Sequence, residues 1–425
     1  MWEHKILNEM RELLHQIKTD SLKRASSDTD SVRAGNYVSP DETSGSNIYI
    51  DKKIFNPGER IPAGENLIPV ERETVMVFSD DDPLHNWSHA CRYFLYDAKN
   101  GELYKNIDAD LPPYMAYIPA TYSSFHHPVN FPEEQPLNYQ DVPVDIITPD
   151  NDSGRNKFAI LYSGTSEYRH VNDIEYLYRT LIQYHHFLPD NIYVLNYDGS
   201  TKYTSFYPPT DIWPGNATPY RMKVNADGSR SELVNVFDEI GKRLKPEDLL
   251  FIHTNNHGLG SSEKNPSIES ALSTYAKMVV RFTASEFGDK LACLPKISQL
   301  VIMMEQCHSG GFKDAILNNS TADKTCFIAA CEADQRSYGG KYHNVFAKHW
   351  IQVSSKLIGM INPFSEGGTS EERSAFDDPS PEPDYNVHEN SLRSAFEAAK
   401  LWSIKDTPVM YDKPKGCSKN IELRD

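Results

Sequence analysis

Between residues 157 and 357, short apolar runs alternate with stretches that repeat apolar residues every three or four positions. Segments 157–162, 191–196, 248–253, 299–304 and 325–330 are apolar at most positions, as strands buried on both faces are. Segments 170–186, 231–244, 267–282 and 344–357 carry helical spacing instead, the first through Ile174, Leu177, Tyr178, Leu181 and Ile182. This alternation predicts the α/β class, with a mostly parallel sheet covered by helices on both faces. Such sheets place their chemistry just beyond the C-terminal ends of the strands. That directs attention to 163–170, 254–260, 305–311 and 331–340.

The N-terminal part has another texture. Ile6, Met10, Leu13, Leu14 and Ile17 predict an amphipathic helix over 1–23, and the polar stretch 24–47 reads as a linker. Strand-like runs such as IYIDKKIF and CRYFLYD, with Asn100-Gly101 as a hairpin turn, predict a small β-rich domain over 48–130. A Pro- and Asp-rich connector over 131–155 then leads into an α/β domain over 156–425. Two stretches interrupt that domain: an insertion at 198–230 rich in Tyr, Pro and Gly, and an acidic loop at 362–388. Loops of that length are usually functional or without fixed structure.

Charge narrows the function. The 425 residues hold 43 Lys+Arg against 60 Asp+Glu, a net charge of −17, which argues against nucleic acid as a partner. No apolar run approaches the ~20 residues that span a bilayer. Charges interrupt the first twenty residues, so no signal-peptide core is seen; cytoplasmic folding is the default expectation, and a specialised export route is compatible with it. Six cysteines in a chain of 425 residues do not form a disulfide framework.

The sharpest chemical feature is a pair of strand ends. FIHTNNHG ends at His257-Gly258, and VIMMEQCHSGG carries Cys307 near its centre. A cysteine nucleophile needs a base, and imidazole suits that task at neutral pH. Neighbouring strands would bring the two residues together. Gly258 would leave its backbone N–H open toward a substrate carbonyl, so the N–H groups of Gly258 and Cys307 could form an oxyanion hole. Gly310 and Gly311 would let the chain turn sharply after the nucleophile. A metal reading is weak: four residues along a strand set His253 and His257 ~13 Å apart. His308 points away from the face of Cys307, because adjacent strand residues alternate.

These blocks resemble the caspase-like cysteine peptidases, specifically the legumain-type branch of asparaginyl endopeptidases. That branch carries a strand then His-Gly, a strand then Glu-Xaa-Cys-Xaa-Ser-Gly, and a Tyr-Arg-His at a helix start, here Tyr168-Arg169-His170. The resemblance covers roughly 157–357. It implies Cys307 as nucleophile, His257 as base and acid, and Arg169 and Glu305 in the primary specificity pocket, with Ser337 and Tyr338 resembling the pocket wall. An Arg beside a Glu offers donors and an acceptor together, which suits Asn, whereas an Arg alone suits Asp. The chain also departs from the family. Glu167 stands where an Asn often orients the histidine; a carboxylate there can hold an imidazole through its other ring nitrogen or can face solvent. The family's acidic pocket residue after the fourth strand has no counterpart, the nearest positions being His343 and Asn344.

The resemblance thus implies an endopeptidase that cleaves protein or peptide substrates through a thioester, after Asn, Asp or another residue, with no metal or organic cofactor. A transamidase or ligase would use the same dyad. A silent partner-binding scaffold is the third reading, and retention of both His257 and Cys307 argues against it.

Overall fold

The computed structural model describes residues 46–63, 66–83, 90–109, 121–126, 155–203, 210–260, 268–276, 280–355, 391–403 and 406–423, with Pro113, Leu137 and Tyr139. The predicted helix over 1–23, nearly all of the 24–47 linker, most of the 131–155 connector and the acidic 362–388 loop lie outside these residues. The chain divides into two units: the first takes in residues up to 84 and 89–130, the second 131–367 and 380–425.

In the first unit, β1 (Asn47–Phe55), β4 (Thr74–Asp80), β5 (Cys91–Asp97), β6 (Leu103–Ala109) and β7 (Tyr122–His126) form an antiparallel sheet in the order β6-β5-β4-β1-β7. A small hairpin, β2 (Arg60–Ala63) and β3 (Asn66–Pro69), contributes Ile61 and Ile68 to a core with Phe78, Tyr93 and Leu95. Asn100-Gly101 turns the β5–β6 hairpin, and Gly101 takes the left-handed φ of 73° that glycine accepts without strain.

The second unit is built on a seven-stranded sheet. Its strands are β8 (Lys157–Ser163), β9 (Ile192–Asn196), β12 (Val224–Ala226), β13 (Leu249–Thr254), β17 (Gln299–Met304), β18 (Lys324–Ala329) and β19 (Val409–Lys413). The order is β12-β9-β8-β13-β17-β18-β19, parallel except for β19. The short pairs β10 (Ile212–Trp213) with β11 (Thr218–Pro219), and β14 (Gly258–Leu259) with β15 (Ala271–Thr274) and β16 (Val280–Thr283), form small antiparallel sheets.

Period-two alternation distributes the central strands between two cores. Phe251, Val301, Met303 and Ile328 face one core with the helices Tyr168–Gln183, Val345–Ser354 and Leu392–Trp402. Ile252, Leu300, Ile302 and Phe327 face the other, with Arg230–Arg243, Ala284–Ala292 and Lys313–Asn319. This is the α/β arrangement expected, with helices on both faces. The chain runs from β8 outward to β9 and returns on the other side of β8 as β13. The order therefore reverses between β8 and β13, and in such sheets the site lies beyond the C-terminal strand ends near that point.

Two expectations need correction. The helix predicted over 267–282 is the β15–β16 hairpin: Leu272 pairs with Phe282 on one side and Gly258 on the other, so sheet pairing overrides the local spacing. The helix comes later, at Ala284–Ala292, opened by a reciprocal capping box between Thr283 and Glu286. In the insertion, residues 210–230 are packed rather than loose. Buried Trp213 stacks under Arg179, whose guanidinium also reaches Thr218 Oγ1 at 2.9 Å and the Pro219 carbonyl at 2.7 Å. Glu175 in turn accepts the backbone N–H groups of Arg221 and Met222 at 2.8 and 2.9 Å.

Candidate active site

β13 and β17 are direct neighbours in register, with Thr254 opposite Met304. The chain therefore leaves both strands at the same edge. There the Glu305 N–H donates to the Thr254 carbonyl at 2.9 Å, and Thr254 Oγ1 donates to Gln306 Oε1 at 2.7 Å. Gly258 shows how closely the two loops meet. A Cβ on Gly258 would overlap the Cys307 carbonyl oxygen and stand 2.8 Å from Gln306 Cγ. His257 and Cys307 thus belong to one packed junction, and both are buried, at 1% and 0% exposure.

His257 Nε2 lies 2.9 Å from Glu167 Oε1. A carboxylate only accepts, so Nε2 carries the proton and Nδ1 is the unprotonated ring nitrogen. Glu167 is the N-cap of the Tyr168–Gln183 helix, and its N–H donates to His170 Nδ1 at 3.1 Å, so the helix end fixes its position. Its other oxygen accepts from Arg169 Nη1. Burial works to raise the Glu167 pKa, but Arg169 and His257 outweigh it and hold the carboxyl well below the usual range. The His170 ring stands edge-on to His257 with centroids 4.9 Å apart. Burial, with Arg169 beside it, drives the His170 pKa well down, so this ring is neutral.

The Cys307 thiol lies 3.9 Å from the Ser337 carbonyl oxygen, and the Ser337 hydroxyl is 4.0 Å from Sγ. Burial pushes the thiol pKa up, and the charges of Arg336 and Arg169 pull against it. The next residue, His308, takes a left-handed φ of 60°, and its Nδ1 is 3.0 Å from the Ala333 carbonyl, turned to the 331–340 loop. The sharp turn after the cysteine was expected from Gly310 and Gly311. It is His308 that adopts the unusual backbone, while Gly310 makes room: a Cβ there would stand 2.8 Å from the Cys331 carbonyl oxygen.

The residues expected to line a pocket divide. Arg169 packs along the Gly339 backbone, where a Cβ would stand 2.6 Å from its Nε, and its guanidinium is engaged by Glu167. Glu305 is fully buried, where burial and the negative charges of Asp406 and Asp173 drive its pKa well up against the pull of the Ala347 N–H. His343 and Asn344 serve neither as pocket acid nor as base. Both bind Asp173, His343 through Nδ1 at 2.7 Å and Asn344 through its N–H at 2.9 Å, and Asn255 Nδ2 donates to the same carboxylate at 2.7 Å. The acidic residue in this region is Asp406, which sequence reasoning missed. Its Oδ1 accepts the Tyr338 N–H at 2.8 Å. Nothing in the local run SIKDTPV marks Asp406, because it arrives from beyond the last helix. His253 Nδ1 is 3.1 Å from the Met303 carbonyl, and burial pushes its pKa down to about 4. No group of three or more His, Cys, Asp and Glu side chains is arranged to hold a metal among the described residues, and no helix there is long and apolar enough to cross a membrane.

A mostly parallel sheet with a thiol and an imidazole at the ends of adjacent strands is the architecture of a caspase-like cysteine peptidase. Residues 157–354 match the Peptidase C13 family, so this part of the chain is a cysteine peptidase of the legumain family and acts on protein substrates. No curated protein matches the chain. Among solved structures, protein GSU0716 from Geobacter sulfurreducens aligns at 12% identity over 60% of this chain and 93% of its own, with a TM-score of 0.36. That similarity is too low to add to the assignment.

Proposed function

We propose that Cys307 and His257 form the catalytic dyad of a peptide-bond hydrolase, with Glu167 orienting the imidazole. The observation that carries this is the Gly258–Cys307 junction, with His257 tied to Glu167 through Nε2. His257 Nδ1 takes the thiol proton. The sulfur attacks the scissile carbonyl carbon, and the oxyanion is met by the N–H groups of Gly258 and Cys307. The tetrahedral intermediate collapses to a thioester, and His257 gives its proton to the leaving amine. Water, deprotonated by the same nitrogen, then releases the acid and restores the thiol. Side chains and water supply every proton and electron pair in this cycle. Because Sγ is fully buried, the segment bearing Ser337 has to draw back before a peptide reaches it.

The test uses the full chain with Cys293 replaced by Ser, because Cys293 is the one exposed cysteine and the other five are buried. Iodoacetamide near pH 7 is expected to label Cys307 ahead of the other four, and His257→Ala to slow that labelling at least tenfold. Fluorogenic peptide cleavage is expected to vanish in Cys307→Ala. Cleavage that survives Cys307→Ala refutes the dyad.

A further inference from the structure

We infer that Asn256 is a positioning residue for the imidazole: its side-chain amide ties the segment that carries Glu167 to the strand that holds His257, and so sets the Glu167–His257 contact. The inference rests on the dyad reading above and concerns the same site. β8 and β13 pair in register as far as Tyr162 opposite Thr254. One further bond, from the Asn255 N–H to the Tyr162 carbonyl at 2.9 Å, ends that ladder. Glu167 stands five residues past Tyr162, and His257 three past Thr254. Strand pairing therefore does not by itself fix the distance between the carboxylate and the imidazole.

Asn256 spans this gap. Its Oδ1 accepts the Thr165 N–H at 3.0 Å, two residues before Glu167. Its Nδ2 donates to the Ser273 carbonyl. Ser273 in turn donates its N–H to the His257 carbonyl at 3.0 Å, and its hydroxyl lies 2.9 Å from Thr165 Oγ1. With His257 Nε2 at 2.9 Å from Glu167 Oε1, these bonds close a ring through Thr165, Asn256, His257 and Glu167. Gly164 shows how little slack the ring has on the β8 side, because a Cβ there would overlap the Ser273 carbonyl oxygen. Asn256, Ser273 and Thr165 are all buried, so water does not compete for these bonds and each holds its geometry.

An amide suits this place. It faces an N–H with its oxygen and a carbonyl with its nitrogen, on a stem too short to wander. Glu167 is already held on its helix side, by the cap and by Arg169. Asn256 supplies the hold on the side of the imidazole. A purely structural Asn256, there only to satisfy two buried backbone groups, would alter stability and leave the use of the imidazole alone. A positioning Asn256 acts on turnover through Glu167, and a shift of about 1 Å in a reacting group costs about 100-fold.

The experiment is a double-mutant cycle of Asn256→Ala with Glu167→Gln on the full chain, read with the fluorogenic peptide that the parent cleaves best. Alone, Asn256→Ala is expected to lower kcat about 10- to 100-fold, with KM changed less than about threefold. In the Glu167→Gln background the same substitution should cost less than about threefold, because the contact it serves is already weakened. The rate of Cys307 alkylation by iodoacetamide in the Cys293→Ser chain should follow the same pattern without turnover. Asn256→Asp keeps an acceptor for the Thr165 N–H, so it should lose only about three- to tenfold in kcat. If the alanine variant fails to fold, Asn256→Asp carries the cycle, and its loss should shrink below about twofold with Glu167→Gln. Equal losses in both backgrounds, or an unchanged kcat in Asn256→Ala, overturn the positioning role and leave the peptidase reading intact. Cleavage that persists in Cys307→Ala overturns both.

Discussion

Asp173→Ala is expected to destabilise the α/β unit by about 3–5 kcal/mol. The carboxylate is fully buried and accepts from four donors: His343 Nδ1, the Asn344 N–H, Asn344 Nδ2 and Asn255 Nδ2. Losing an acceptor costs a buried donor about 1–3 kcal/mol. Asn344 Nδ2 keeps a second acceptor in Asn255 Oδ1 at 2.6 Å, so about three donors bear the loss. Local collapse recovers part of it, which brings the expectation below the simple total. Asp173→Asn should cost less, about 1.5–3 kcal/mol, since one oxygen still accepts while the new NH2 faces donors. Urea unfolding followed by fluorescence of Trp213 and Trp350, both fully buried in this unit, reads the midpoint shift at constant slope. A loss under ~1 kcal/mol for the alanine variant would refute the reasoning. Asn255 also stands two residues before His257, so the same variants should lower kcat/KM at urea concentrations where the fold persists.

Other variants probe single features of the site. Glu167→Gln keeps an acceptor for His257 Nε2–H but loses the charge, so kcat/KM should fall about 10- to 100-fold, and unchanged kinetics would remove Glu167 from the mechanism. Gly258→Ala places a methyl against the Cys307 backbone, which cannot swing aside; turnover should drop at least ~100-fold, with circular dichroism reporting whether the fold survives. The Asp406 pKa is raised from 3.8 to about 7, so the folded state holds an extra proton between those values and stability falls as pH rises through them. Asp406→Asn still accepts the Tyr338 N–H, and should gain on the parent from pH 4 to pH 8 by roughly 4 kcal/mol at most; a pH-independent difference in urea midpoint contradicts this.

The central strands were legible because each is closed on both faces by helices. That demands apolar residues at nearly every position, and Gln299–Met304 carries the pattern without interruption. The β15–β16 hairpin was not legible. Its spacing through Leu272 and Tyr275 suits a helix, and what decides its structure is a long-range pairing with Gly258–Leu259 that local sequence does not encode. The Ala284–Ala292 helix could have been found, since Thr283-Ala284-Ser285-Glu286 is a capping-box sequence ahead of an apolar run. The packed insertion was hidden for a related reason. Arg179 and Glu175 look like ordinary exposed charges on a helix, and only the fold shows them buried against Trp213 and the 218–222 backbone.

The site divides along the same line. His257 and Cys307 stand just beyond the ends of adjacent strands, so strand pattern alone places them at the same edge of the sheet. Their electrostatic setting comes from three other segments. Glu167 and Arg169 belong to a helix cap, Ser337 and Tyr338 to the loop after β18, and Asp406 to the return toward β19. A single acceptor changes the chemistry there. Glu167 takes both Arg169 and His257, so one carboxylate ties the helix cap to the strand end that carries the imidazole. Residue types at motif positions are thus readable along the chain, while the pairing among Glu167, Arg169 and His257 is fixed only in three dimensions.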